Sequence, residues 1–107
     1  MPHSVKRGDT KTLRWNLARD LTTVAAARVI IKPNAGAAAA IDRNGTIDAP
    51  VTAGIVSLVL ATGDFAAGKL EVRDDPYLVE IETTPGPLTH PDDGRKYELL
   101  YVWQDLG

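Results

Sequence analysis

Few residues in this chain of 107 are candidates for chemistry. Its serines are Ser4 and Ser57, and its histidines are His3 and His90. Ser57 lies within "AGIVSLVLA", the longest apolar run, and lacks the sharp strand-to-helix turn that presents a nucleophilic serine. His3 falls in a terminal segment and His90 in a Pro-rich loop. Neither has a sequence neighbour to orient its ring, so both are expected in solvent. Asp74-Asp75 and Asp92-Asp93 are paired acids beside turns. Calcium takes about six to eight oxygens at defined spacing, which neither pair supplies; aspartates that bond nearby backbone amides account for both. The stretch His90-Pro91-Asp92-Asp93 has no second histidine at zinc-ligand spacing. There is no phosphate-cradling glycine loop and no dinucleotide fingerprint. The absence of cysteine removes thiolate metal sites and disulfides. The expectation is a non-enzyme with no cofactor and no resident metal.

One short motif names a binding activity: Arg7-Gly8-Asp9, the cell-adhesion tripeptide. A working adhesion tripeptide sits at a projecting loop tip. Here it stands directly ahead of an alternating stretch, "TLRWNL", so Gly8 and Asp9 are expected as a bend between two strands, with the Asp9 carboxylate near local amides.

The elements that position these residues are strands. In "TLRWNL", Leu13, Trp15 and Leu17 alternate with Thr12, Arg14 and Asn16, the period-2 pattern of a half-buried strand. "ARVIIK" sets Ala27, Val29 and Ile31 against Arg28, Ile30 and Lys32. "PYLVEIETT" sets Tyr77, Val79 and Ile81 against Leu78, Glu80 and Glu82. "KYELLYVWQDL" sets Tyr97, Leu99, Tyr101 and Trp103 against Glu98, Leu100, Val102 and Gln104. "GIVSLVLA" reads as a central strand. Weaker strands are expected at 4–8, 37–42 and 69–73. Asn44-Gly45 is the strongest hairpin signal, and the polar stretch "TTPGPLTHPDDGRK" reads as a projecting hairpin. The alanine-rich "NAGAAAAIDR" is too short and too interrupted for a stable helix. The expected core is Leu13, Trp15, Leu17, Val29, Ile31, Val56, Leu58, Leu60, Val79, Ile81, Leu99, Tyr101 and Trp103, because large aromatics dominate cores. Short strands without crossover helices predict one domain over residues 1–107, an all-β antiparallel immunoglobulin-like sandwich of about seven to eight strands.

Hydrophobic residues at 44% and charged residues at 24% are ordinary for a globular chain. No apolar run approaches the roughly 20 residues of a membrane span. The basic N-terminal segment has no apolar stretch behind it, so synthesis in a cytoplasm without Sec-type export is expected. Net charge is −2, unevenly placed. Residues 1–32 hold seven basic side chains against two acidic, and residues 33–107 hold five against twelve. Opposite charges on neighbouring strands suit one sheet; the split also suits association with copies of itself or a partner. Lys6, Arg7, Asp9, Lys11 and Arg14 are the candidate partner-docking residues. Basic residues are not interleaved with exposed aromatics, so nucleic-acid binding is not expected.

The order of motifs carries a resemblance. "VKRGDTKTLRWNLARD" followed by "DLTTVAAARVIIKP" resembles the opening of small phage β-sandwich domains. These include N-terminal domains of upper baseplate proteins and sandwich proteins of long-tail-fibre and minor-tail modules. "DAPVTAGIVSLVLATGDFAAGKLEV" and the closing "PYLVEIETTPG…KYELLYVWQDLG" are similar to their second half. Two departures stand out: Gly68-Lys69-Leu70 where Gly-x-Tyr is usual, and the alanine-rich insertion. The resemblance implies a virion structural protein, made in the host cytoplasm, without catalysis, and docked to other virion proteins in many copies on a symmetric particle. Tail or baseplate is the expected placement, with a capsid-surface or head–tail accessory role as the alternative. Strand addition by Val5–Thr10 to a neighbour's sheet is one expected docking mode. From the residues alone, Tyr97, Tyr101 and Trp103 also motivate a carbohydrate-binding sandwich.

Overall fold

The computed structural model describes residues 3–17, 19–34, 36–66, 69–84, 88–90 and 98–103. Among the described residues nine strands follow one another: β1 (His3–Lys6), β2 (Lys11–Asn16), β3 (Ala26–Lys32), β4 (Ile41–Asn44), β5 (Thr46–Ile47), β6 (Ile55–Leu60), β7 (Tyr77–Thr84), β8 (Leu88–His90) and β9 (Glu98–Trp103). They form two sheets. The larger runs β1-β9-β7-β3-β4, with β8 pairing β7 beyond the end of β9, and the smaller runs β2-β6-β5. Pairing is antiparallel except between β1 and β9, which run parallel. This strand order is that of an immunoglobulin-like sandwich, with β2, β6 and β5 as one sheet and β3, β7 and β9 at the centre of the other.

Alternation explains most of the core. Leu13, Trp15 and Leu17 from β2 and its end, Val29 and Ile31 from β3, Val56, Leu58 and Leu60 from β6, and Val79 and Ile81 from β7 are all buried between the sheets. Each such side chain contributes about 1.5–3 kcal/mol of transfer free energy. Leu21, Phe65 and Leu70 from the connections fill in around them.

Tyr77 opens β7 and its hydroxyl reaches back along the chain. It accepts from the Glu71 N–H at 2.8 Å and donates to the Lys69 carbonyl at 3.3 Å. This is the tyrosine corner of immunoglobulin-like sandwiches. It also explains why the strand expected at 69–73 does not form, since these backbone groups bond to a side chain instead of a ladder. The expected strand at 37–42 starts only at Ile41, preceded by a turn in which Ala37 N–H bonds the Asn34 carbonyl.

Asn44-Gly45 is not a hairpin turn. β4 pairs β3 in the larger sheet, whereas β5 pairs β6 in the smaller, so the chain changes sheets here. Gly45 is required by proximity: a Cβ would sit 2.6 Å from the Ser57 carbonyl oxygen and 3.1 Å from methyls of Val29 and Val56. Arg7-Gly8-Asp9 is the expected bend. Gly8 takes φ +89° and the Asp9 N–H closes the turn onto the Lys6 carbonyl at 3.1 Å.

Charge pairing knits the outer face of the larger sheet. Arg28 on β3 forks onto Asp42 of β4 at 2.6 and 2.5 Å and reaches Glu82 of β7 at 3.3 Å. Its guanidinium holds the Asp42 carboxyl below the usual range.

Candidate functional site

The border between β1 and β9 is where the predicted docking residues meet an unforeseen partner. Val5 and Val102 are register partners and both are buried. Alternation therefore turns Ser4 and Lys6 on β1, and Tyr101 and Trp103 on β9, outward. Trp103 is 43% exposed. Its ring stacks on Tyr101 with centroids 5.2 Å apart and planes 7° from parallel. An open hollow of about 270 Å³ lies beside it, lined by Ser4, Val5, Lys6, Asp9, Lys11 and Trp103.

This corrects the expected core. Leu99, Tyr101 and Trp103 are not buried; Leu100 and Val102 take their place. "ELLYVW" is apolar in both phases, so periodicity alone leaves its direction open. The phase is set by neighbours: Leu100 pairs with buried Tyr77, and Val102 with buried Val5. Tyr97, the third member of the expected aromatic face, lies outside the described residues.

Of the five predicted docking residues, Lys6, Asp9 and Lys11 converge at the hollow. Arg7 turns toward a separate hollow with Phe65, Glu71 and Val72. Arg14 lies on the outer face of the smaller sheet, 3.4 Å from Asp48. The backbone of β1 is a poor template for strand addition by Val5–Thr10. The strand is four residues long and the Lys11 ammonium donates to the Ser4 carbonyl. Short strands and lysines are how edges resist pairing. What this edge offers is side chains.

Both histidines depart from the expected solvated state. His3 stacks on Trp15 at 5.3 Å. His90 is only 6% exposed on β8, with Nε2 3.1 Å from the Glu98 carboxylate. Ser57 donates to Asp48 at 2.7 Å with no histidine in the arrangement. Asp74 and Asp75 are exposed, and Asp75 lies 4.0 Å from Arg73. Asp92 and Asp93 lie outside the described residues. Among the described residues, no three acidic or histidine side chains gather into a metal-sized cluster.

Sequence reasoning overlooked two further outward residues, Leu78 and Ile30, each half-buried among the charges of the larger sheet's outer face. Their signal was an apolar residue on the polar side of an alternating strand. The smaller sheet's outer face is more polar, presenting Thr12, Arg14, Asn16 and Thr46 with half-buried Ile55 and exposed Val59.

No protein-family model matches the chain, and no curated protein matches it.

Proposed function

We propose that this chain is a non-catalytic structural module of a tailed-phage virion, placed in the tail or baseplate, that docks to neighbouring virion proteins through the outward face of β9 and its border with β1. One observation carries the reading: Trp103, exposed and stacked on the half-buried Tyr101, stands beside Lys6, Asp9 and Lys11. Exposed aromatics ringed by charges are the composition of protein-interface centres, where Trp, Tyr and Arg hold most of the binding energy. The phage placement is supported by the motif resemblance along the chain. It agrees with a sandwich in which Ser57 is bonded to Asp48, His90 to Glu98 and His3 to the Arg14 carbonyl. Nucleic acid and membrane are not partners in this reading.

Antibody raised against the purified chain and used for immunogold electron microscopy tests the placement. Label on tails or baseplates is expected. Label on the capsid lattice moves the protein to a decoration role, and particles free of the protein refute the virion reading. A second reading, a carbohydrate-binding sandwich, is favoured by the same aromatic pair, since flat rings stack on sugar faces. It predicts a shift in Trp103 emission on titration with soluble oligosaccharides. The docking reading predicts none.

A further inference from the structure

The outer face of the larger sheet carries a connected apolar band that the charge pairing does not cover. On β9, Leu99, Tyr101 and Trp103 follow one another at alternate positions. Leu78 on β7 is the register partner of Leu99, and Ile30 on β3 lies one outward step diagonally beyond it. Tyr101, Leu78 and Ile30 thus fall on one diagonal across three strands. Charges flank this diagonal. Lys32 pairs in register with Leu78, and Glu80 pairs in register with Ile30, so the two charges sit on opposite sides of the Leu78–Ile30 line.

We propose that this face is an isologous interface between two copies of the chain, with the twofold axis lying along the Tyr101–Leu78–Ile30 diagonal. Rotation about that axis exchanges the Lys32 and Glu80 positions, so each Lys32 meets the Glu80 of the other copy. Trp103 comes down beside Ser4 and Lys6 of the other copy, and Leu78 meets Leu78. The face is electrostatically self-complementary: among the described residues it presents Lys6, Arg28 and Lys32 against Asp42, Glu80 and Glu82. Two copies meeting here carry no net repulsion, and a symmetric contact satisfies each ion pair twice. Five strands about 4.8 Å apart and about six residues long present roughly 400 Å² in projection on each copy. That is about half the roughly 800 Å² per partner of a standard-size interface, so the association is weak, reversible and concentration-dependent.

The inference rests on the reading of the chain as an assembly module and names its partner as a second copy. Sedimentation velocity over a wide concentration range tests it, on the wild type and on Lys32→Glu, Glu80→Lys and the double exchange. Each single exchange places two like-charge pairs in the interface and is expected to weaken dimerisation about tenfold or more, while the double exchange restores it. The chain has no cysteine, so Leu78→Cys adds a unique thiol at the axis. A short bis-maleimide should link it into dimers, whereas Val59→Cys on the opposite sheet should stay monomeric. A wild type that remains monomeric at the highest concentrations, or a double exchange no better than the singles, overturns the inference. So does equal linking at 78 and 59. A monomer still found in phage particles overturns this dimer and leaves the virion reading standing; a dimer absent from particles does the reverse.

Discussion

Removing the Arg43–Asp64 pair should cost the fold more than any other surface-reaching ion pair described above. Arg43 leaves β4 on its inward side, beside Val29, and crosses to the 3-10 turn Thr62–Phe65 that follows β6. Its guanidinium donates to both Asp64 oxygens at 2.7 and 2.9 Å and to the Val59 carbonyl at 2.8 Å. Asp64 also accepts from the Ala61 N–H at 2.9 Å and is only 7% exposed. Charge-assisted hydrogen bonds contribute about 1.5–3 kcal/mol each. The Arg43 side chain is 41% exposed and returns to water when its partner goes, which discounts that sum. Asp64→Ala is therefore expected to lose about 2–3 kcal/mol, or roughly 10–15 °C in Tm for a domain of this size. Arg43→Ala should lose more, about 3–4 kcal/mol, because it strands a buried carboxylate.

The pH dependence separates the two variants. Arg43 beside Asp64 holds that carboxyl below its usual range. A depressed carboxyl contributes stability that is complete above the unfolded value, about 3.9, and is lost as pH falls through the lower folded value. In Arg43→Ala, burial without the cation pushes the carboxyl upward, so its deficit against wild type should shrink as pH falls toward about 4. Thermal melts from pH 7 to 3 measure both effects. A loss under about 1 kcal/mol for Asp64→Ala, or deficits that ignore pH, would refute the reasoning.

Gly45→Ala should destabilise by about 2–3 kcal/mol through overpacking against the Ser57 carbonyl. Gly63→Ala, which meets nothing within 4 Å, should melt near wild type, and equal melting of the two would count against the close-approach reading. Tyr77→Phe removes both bonds of the tyrosine corner and should cost about 1–3 kcal/mol by denaturant titration, leaving the Glu71 N–H without its acceptor. For β9, Leu100→Ala should cost about 2–5 kcal/mol and Leu99→Ala less than about 1 in the monomer; the reverse order would restore the expected aromatic core.

Sequence patterning exposed the sandwich class and most of its interior because β2, β3 and β7 alternate apolar with charged residues. A one-residue slip there would bury Arg14, Arg28 or Glu80, so their direction is legible from composition alone. β9 carries no such penalty in either phase, and its direction comes from Tyr77 and Val5, distant in sequence. Asn44-Gly45 has hairpin chemistry, but whether β4 and β5 pair with each other depends on competition from β3 and β6. His90 reads as a loop residue because its burial comes from pairing with Ile81 and meeting Glu98 across β8 and β9. Charge placement singles out Lys6, Asp9 and Lys11, which the structure brings together at one hollow, whereas aromatic size points their neighbour Trp103 to the core and strand phase turns it outward.

Photo-cross-linking in assembled particles tests the central claim most directly. A benzophenone amino acid placed at position 103, on the outward face of β9, should form adducts with another virion protein or another copy of this chain. The same probe at position 59, where Val59 is 54% exposed on the other sheet, should form few. Adducts at 59 with none at 103 would contradict the assignment of the β9 face as the docking surface.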